Sequence, residues 1–388
     1  MKQIFAFMLL AAVVLPQTAA ASLDYAAWIP WWQDTAGVKS ATKHIKDLDI
    51  VYPFVYEVKS DGSLVDKGGL TDSNWKKFIK LADRKKVEVI PTVAWFDGQA
   101  IDAVLSDKKK RAAHIDEIVE MVEKGKYDGV DIDYESKLSA TIDNFSLFLK
   151  ELKKELGDKY LTCTLEARTP ADSLYRDVPK VINYANDYTE IAKYCDWVEI
   201  MAYDQQRADL KLNSSKKGEP YVPVSDVDWV EKVIKLALKD IPAEKIMLGV
   251  PTYGRAWDLT VEPDWYKEYK NVAAINLPDA ERLAKKYKVE PGRNQAGELS
   301  FSYFPEDSAF RILEVLPVPK GTRPGFENAA RALLFANATG MPVTVRIAWY
   351  SDAKAIEDKI DLAEKYDLKG VAIFKVDGEE AGDIWDAI

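Results

Sequence analysis

Short runs rich in Val, Ile and aromatic residues recur along this chain, and longer amphipathic stretches separate them. The runs are "YAAWIPWW" (25–32), "DIVYPFVYEV" (49–58), "VEVIPTVAWF" (87–96), "YDGVDIDYE" (127–135), "YLTCTLEAR" (160–168), "DWVEIMAYD" (196–204), "KIMLGVPTYG" (245–254) and "GVAIFKVDG" (370–378). Near-continuous apolar runs of this kind suit parallel strands covered on both faces. Helical periodicity fills the gaps at 73–86, where Ser73 is the expected N-cap, and at 109–125, 139–157 and 225–240. Strand and helix alternating in this way predict an α/β fold, a (β/α)8 TIM barrel. An open doubly wound sheet is the alternative, but the first strand lacks a glycine-rich phosphate turn.

The alternation fails once. Residues 257–345 are far too many for one crossover helix and hold "PDWYKEYKNVAA", "GELSFSYF" and "FENAARALLFANATG". They are expected to form a small α+β insertion between strands 7 and 8. Barrel strands 1–7 are then expected within 22–256, and the last helix and strand within 346–388.

The first 21 residues read differently. A basic "MKQ", an apolar "IFAFMLLAAVVL" and a small-residue "PQTAAAS" form a secretory signal peptide too short to span a bilayer comfortably. Removal of that segment predicts a secreted, periplasmic or cell-surface protein with no membrane span. A net charge of −10 without a basic stripe argues against nucleic acid and anionic membranes. Two cysteines, Cys163 and Cys195, are too few for a disulfide scaffold; a bond and two buried thiols both remain open. His44 and His114 stand apart from other plausible ligands, so no His-rich metal site is expected.

The fourth run carries Asp128, Asp131, Asp133 and Glu135. Side chains alternate faces along a strand, so Gly129, Asp131, Asp133 and Glu135 share one side, and Val130, Ile132 and Tyr134 the other. The acids therefore point into the barrel and step towards its C-terminal mouth, where barrel enzymes keep their chemistry. Like charges in poor solvent push at least one carboxyl pKa upward, and an acid still protonated near neutral pH can serve as a general acid. Three other readings compete. A calcium loop of EF-hand type would need a glycine after Glu135, where Ser136 stands. A magnesium site or an inward ion-pair network would also use acids.

These residues resemble glycoside hydrolase family 18, the chitinase-like hydrolases. "DGVDIDYE" (128–135) matches the family's D-G-x-D-x-D-x-E signature at every specified position. "EIMAYD" (199–204) is similar to the sixth-strand M-x-Y-D, "LGVPTYGRAW" (248–257) to the seventh strand, and residues 347–378 to the last helix and strand. "WIPWW" and "PFVYEVKSDGSL" (53–64) look more like bacterial members of the spore-cortex and cell-wall type.

The resemblance implies substrate-assisted retaining hydrolysis of β-1,4-linked N-acetylglucosamine glycans, chitin-like or peptidoglycan, by a monomer needing no cofactor or metal. On that reading Glu135 is the acid and base, Asp133 holds the acetamido N–H, and Asp131 shares a proton with Asp133. Tyr203 donates to the acetamido oxygen, with Asp204 and Met201 beside it. Trp31, Trp95, Tyr253 and Trp349 are candidate sugar-stacking residues. Phe374 stands where typical members carry a tryptophan, "TVAW" (92–95) lacks the usual paired glycines, and 310–345 is longer than the family pattern. The competing class is a carbohydrate-binding, lectin-like protein without turnover. Such members usually lose the terminal acid, which is present here as Glu135. A structural cell-surface role would leave the acid ladder unexplained.

Overall fold

The computed structural model describes residues 22–216, 218–380 and 382–388. The expected signal peptide over 1–21 lies outside them. Seven parallel strands come first: β1 (Asp24–Pro30), β2 (Ile50–Val58), β3 (Thr92–Trp95), β4 (Gly129–Tyr134), β5 (Tyr160–Glu166), β6 (Trp197–Met201) and β7 (Ile246–Pro251). The chain then builds a second sheet from β8 (Tyr253–Glu262), β9 (Trp265–Asn276), β10 (Leu299–Tyr303) and β11 (Val343–Tyr350), and returns as β12 (Gly370–Phe374). These seven strands and β12 pair in parallel with their neighbours, β12 with both β7 and β1, and β1 with β2, which closes the expected (β/α)8 barrel; a short strand, Leu64–Asp66, adds antiparallel to β2.

The outer layer includes α1 (Asp34–Lys43), α2 (Ser73–Lys85), α3 (Lys108–Gly125), α4 (Ile142–Leu156), α5 (Tyr188–Tyr194) and α6 (Val227–Ala237). In the second sheet α7 (Leu277–Tyr287) and α8 (Glu327–Thr339) follow, and α9 (Ala353–Lys365) precedes β12. Helix α4 shows why these segments coil: Phe145, Phe148, Leu149, Leu152 and Leu156 fall on one stripe and are buried. Asp107 accepts the N–H groups of Lys109 and Lys110 and so starts α3. The cap position of α2 is Asp72 rather than the expected Ser73, which is already helical.

Period-two alternation decides what enters the barrel. Ala26 and Trp28 on β1, Tyr52 and Phe54 on β2, Ala94 on β3, Trp197 on β6, Met247 on β7 and Ala372 on β12 form one interior cluster. Their neighbours, such as Ala27, Val51, Val93, Trp95 and Ile132, pack outward against the helices. Gly129 has no freedom to be larger, since a Cβ there would lie 2.3 Å from the Tyr160 carbonyl of the next strand.

The second sheet is antiparallel, ordered β9, β8, β11, β10 and a short strand Gly292–Arg293. It takes in residues on both sides of the expected 257–345 block. The run expected as one strand over 245–254 is cut at Thr252, and Tyr253 already belongs to β8, which pairs with β11 up to Tyr350. The apolar pattern runs through Thr252 without interruption, so a change from parallel to antiparallel pairing leaves no local mark. Cys163 on β5 and Cys195 before β6 are buried and joined by a disulfide, with Cα atoms 6.4 Å apart. No helix among the described residues is long and apolar enough to cross a membrane.

Candidate active site

Strand β4 carries its acids up the barrel axis. Asp131, fully buried, sits at the level of Thr92 and Thr162 on its two neighbours. Thr92 donates to one carboxylate oxygen at 2.8 Å, Thr162 to the other at 3.2 Å, and Thr164 lies within 3.0 Å of both. Burial still holds the Asp131 pKa above the ordinary aspartate value against these donors.

Asp133, 3% exposed, is next along the strand, and its Oδ1 has no hydrogen-bond partner among the described residues. Burial raises its pKa well above the usual range, and the charges of Glu135 and Asp131 add to that. Asp131 already accepts from the three threonines, and its charge bears on Asp133.

Glu135 stands at the rim, partly open to the cavity. Burial raises its pKa, and Glu166 and Asp204 add to the rise against the pull of Lys137. The backbone turns sharply after it: Ser136 has a left-handed φ of 56° and donates its N–H to Glu166 Oε1 at 3.0 Å. Lys137 is buried behind the strand, with its ammonium against the Tyr134 carbonyl and 4.6 Å above the Phe145 ring.

The opposite wall comes from β6, β7, β8 and β12. Asp204, with φ 55°, is clamped by Arg255, whose Nε and Nη2 each donate to one carboxylate oxygen at 2.7 Å. Tyr203 packs flat on Phe374, ring centroids 5.4 Å apart, and edge-on to Tyr253 at 6.3 Å. Gly249 makes room for this, since a Cβ there would lie 3.1 Å from the Tyr203 ring. Burial lifts the Tyr203 pKa well above 10, so its hydroxyl stays protonated and able to donate. Phe374 also meets Trp28 at 6.0 Å and Phe54 at 6.3 Å, which makes an aromatic floor.

One cavity thus gathers Asp133, Glu135, Met201, Tyr203, Asp204, Tyr253 and Phe374 from the sequence-derived candidates. Three tryptophans are elsewhere. Trp95 points outward and packs on His114 and Tyr134, each at 5.4 Å. It has the parity of Val93 rather than of Thr92, so the alternation that turns the acids inward turns Trp95 out. Trp349 lies in the core of the second sheet, where its Nε1 donates to Glu298 at 2.6 Å. Trp31 packs against the interior cluster and edge-on to Trp32 at 5.8 Å, with the Lys67 ammonium 4.6 Å from its ring, but it does not line this cavity. Trp28, with the inward parity of Ala26, and Trp32, beside Arg255 and Phe374, border the open space instead.

Sequence reasoning also missed Phe54, Thr164, Glu166 and Arg255. Parity on β2 and β5 marks the first three, whereas nothing local marks Arg255. A further interior acid, Glu199, accepts from Trp197 Nε1 at 2.7 Å and from the Tyr52 hydroxyl. Among the described residues, no three or more His, Cys, Asp or Glu side chains converge as metal ligands.

Raised carboxyls over an aromatic floor at the C-terminal face of a closed barrel place the chain among the barrel glycosidases. It belongs to the glycosyl hydrolases family 18, whose profile matches residues 28–379. Among its relatives is the uncharacterized glycosylase YvbX of Bacillus subtilis, 23% identical over 363 residues that cover 92% of this chain and 88% of YvbX. The putative sporulation-specific glycosylase YdhD of the same organism is 27% identical over 243 residues, covering 61% of this chain and 52% of YdhD. The fold is shared with the spore cortex-lytic enzyme SleL of Bacillus cereus, at TM-score 0.67 and 21% identity, covering 96% of this chain and 75% of SleL. A chitinase from Chromobacterium violaceum superposes with TM-score 0.68 at 19% identity, covering 94% and 98% of the two chains.

Proposed function

We propose that this chain is an exported hydrolase of β-1,4-linked N-acetylglucosamine glycans that works by substrate-assisted retaining catalysis. The observation that carries the reading is the pairing of Asp133 and Glu135. Two residues along a strand span roughly 6.5–7 Å between Cα atoms, and both side chains lean the same way. Asp133 is therefore badly placed to attack across a sugar ring held under Glu135, and well placed to meet a 2-substituent on the near side. Its unpartnered Oδ1 suits an acetamido N–H, and the protonated Tyr203 beside it suits the acetamido carbonyl.

In the first step Glu135 gives its proton to the glycosidic oxygen as the bond to the anomeric carbon breaks. The acetamido oxygen attacks that carbon from the opposite face and forms an oxazolinium ring, whose positive charge Asp133 stabilises. Glu135, now a carboxylate, takes a proton from water, which opens the ring with net retention. Asp131, held by its threonines, fixes the strand and bears on the charge of Asp133. The Cys163–Cys195 disulfide and the N-terminal sequence support export. Relatives named as a chitinase and as a cortical fragment-lytic enzyme support an N-acetylglucosamine polymer as substrate.

Mass spectrometry of products from chitin oligosaccharides and from purified peptidoglycan tests the substrate, and NMR of the newborn anomer tests retention. Release of β-anomers with no cleavage of cellulose oligosaccharides is expected, because glucan has no acetamido group. Thiazoline analogues of the oxazolinium ion should inhibit. Efficient cleavage of glucan, or a glycosyl ester trapped on a carboxylate, overturns the mechanism.

A further inference from the structure

We propose that a lysine-rimmed groove on the flank of the barrel, away from the catalytic mouth, binds an extended acidic peptide. The groove encloses about 420 Å³ between α2, the C-terminal end of α3 and the residues that lead into β4. Asp128 lies on its edge and directly precedes β4, whose far end leads to Glu135. Extended chain between those two acids spans roughly 20–25 Å, so the groove is separate from the catalytic cavity and independent of what that cavity cleaves.

The net charge of −10 hides a basic element. Residues 73–86 hold Lys76, Lys77, Lys80, Arg84, Lys85 and Lys86 against Asp83 alone. Lys76, Lys80 and Arg84 are four positions apart, so they share one stripe of α2 and step about 6 Å along its axis. Lys76 and Lys80 line one wall of the groove, and Lys124 and Lys126 line the other. Lys124 pairs with Glu120 on its own helix. Among the described residues Lys76, Lys80, Arg84 and Lys126 are in no ion pair. Two carboxylates, Asp83 and Asp128, complete the charged lining, and Asp128 already accepts the Val89 N–H at 2.8 Å. Like charges at this spacing weaken a helix, and Lys76 stands near the N-terminal end of α2, where the helix dipole disfavours a cation. An anion in the groove relieves both.

The floor narrows the choice of anion. Leu70, Val89 and Tyr127 are buried there and Ile79 is half-buried. Gly125 leaves the space for this floor, since a Cβ there would lie 2.0 Å from the Tyr127 ring. An extended peptide suits both surfaces. Its alternate side chains recur every 6.5–7 Å or so on one face, which matches the step of the lysines, while the intervening side chains pack on the apolar floor. A phosphate polymer would leave that floor unused. None of the exposed large apolar or aromatic side chains among the described residues lines the groove, so it offers nucleic-acid bases no stacking platform and a lipid surface no inserting side chain.

Fluorescence anisotropy at low ionic strength tests this, with a labelled, acetylated peptide of alternating glutamate and valine added to the chain. Binding should be saturable and weaken with salt. The triple variant Lys76→Gln, Lys80→Gln, Lys126→Gln should lose at least about tenfold in affinity, the combined worth of three partly exposed ion pairs. The triple variant Lys108→Gln, Lys109→Gln, Lys110→Gln removes equal charge from an exposed run outside the groove and should change affinity by less than about twofold. All six side chains are exposed, so both variants should keep the circular dichroism spectrum of the parent. A peptide of alternating glutamate and glycine should bind at least about tenfold more weakly, because it buries no valine. Absence of saturable binding, equal losses in the two triple variants, or a glycine peptide that binds as well overturns the proposal. Tighter binding of inorganic polyphosphate, a single-stranded oligonucleotide or phosphatidylglycerol vesicles overturns it too, in favour of a different polyanion.

Discussion

On the proposed mechanism Glu135 must reach the glycosidic oxygen with its proton on. Burial, Glu166 and Asp204 all push its pKa upward, which extends the protonated fraction to higher pH. Activity should therefore be present below that raised pKa and fall as pH rises through it. Glu166→Gln keeps an acceptor for the Ser136 N–H and removes one of the charges responsible. The alkaline limb of kcat/KM should then move to lower pH, and an unmoved limb would sink the electrostatic account. Glu135→Gln should lose roughly 10²–10⁴-fold in turnover with an unchanged circular dichroism spectrum; activity within a few-fold of the parent refutes the assignment. At this scale the sequence was informative wherever parity was applied. Parity turned Asp131, Asp133 and Glu135 inward, and the same rule separates Trp28 from Trp95. Trp95 and Trp349, which pack away from the cavity, were chosen for residue type and nearness to a strand end. Arg255 could not be seen, because its partner Asp204 lies 51 positions away in the chain.

Elements are held together by polar contacts whose partners the sequence does not reveal. His114, a side chain of α3, is buried between the helix layer and β4. Its Nδ1 is 2.6 Å from the Gly62 carbonyl, and its Nε2 meets the Tyr134 hydroxyl of the acid strand. Neutral imidazole satisfies both contacts, with Nδ1 donating and Nε2 accepting. Burial lowers the His114 pKa from 6.5 to about 4. Between those values the unfolded chain binds the extra proton, so stability contributed here is present above pH 6.5 and lost as pH falls towards 4. The shift corresponds to roughly 3 kcal/mol. His114→Gln should therefore be destabilised at pH 7, and its deficit relative to the parent should shrink at pH 4 in paired urea titrations. A deficit independent of pH would show that His114 does not titrate this way. Strand and helix order was legible because apolar periodicity is local. The break at Thr252 was not, because strand direction depends on which edge the chain meets next.

The whole molecule depends on how the second sheet is fastened to the barrel, and Glu298 is a buried fastening among several, which include Glu219 with Arg323 and Tyr221 with Tyr269. Glu298 is fully buried beside β10 and accepts three donors: Val224 N–H at 2.9 Å, Ser225 N–H at 2.9 Å and Trp349 Nε1 at 2.6 Å. Ser225 in turn donates its hydroxyl to the Ala202 carbonyl at 2.7 Å, next to Tyr203 and Asp204. Arg255 on β8 reaches the same place from the second sheet. The insertion therefore supports one wall of the catalytic cavity and should not behave as an independent appendage. Glu298→Ala strands three buried donors at about 1–3 kcal/mol each and removes the acid facing the buried Lys359. A loss above about 3 kcal/mol is expected, with turnover falling as the Tyr203–Asp204 wall loosens. Glu298→Gln, which keeps the volume and one acceptor oxygen, should lose less. Tryptophan fluorescence and residual activity should follow one coincident unfolding curve in the parent and in both variants. Separate transitions, or Glu298→Ala within about 0.5 kcal/mol of the parent, the usual range for an inconsequential surface change, would mean that the barrel holds its catalytic wall without help from the insertion.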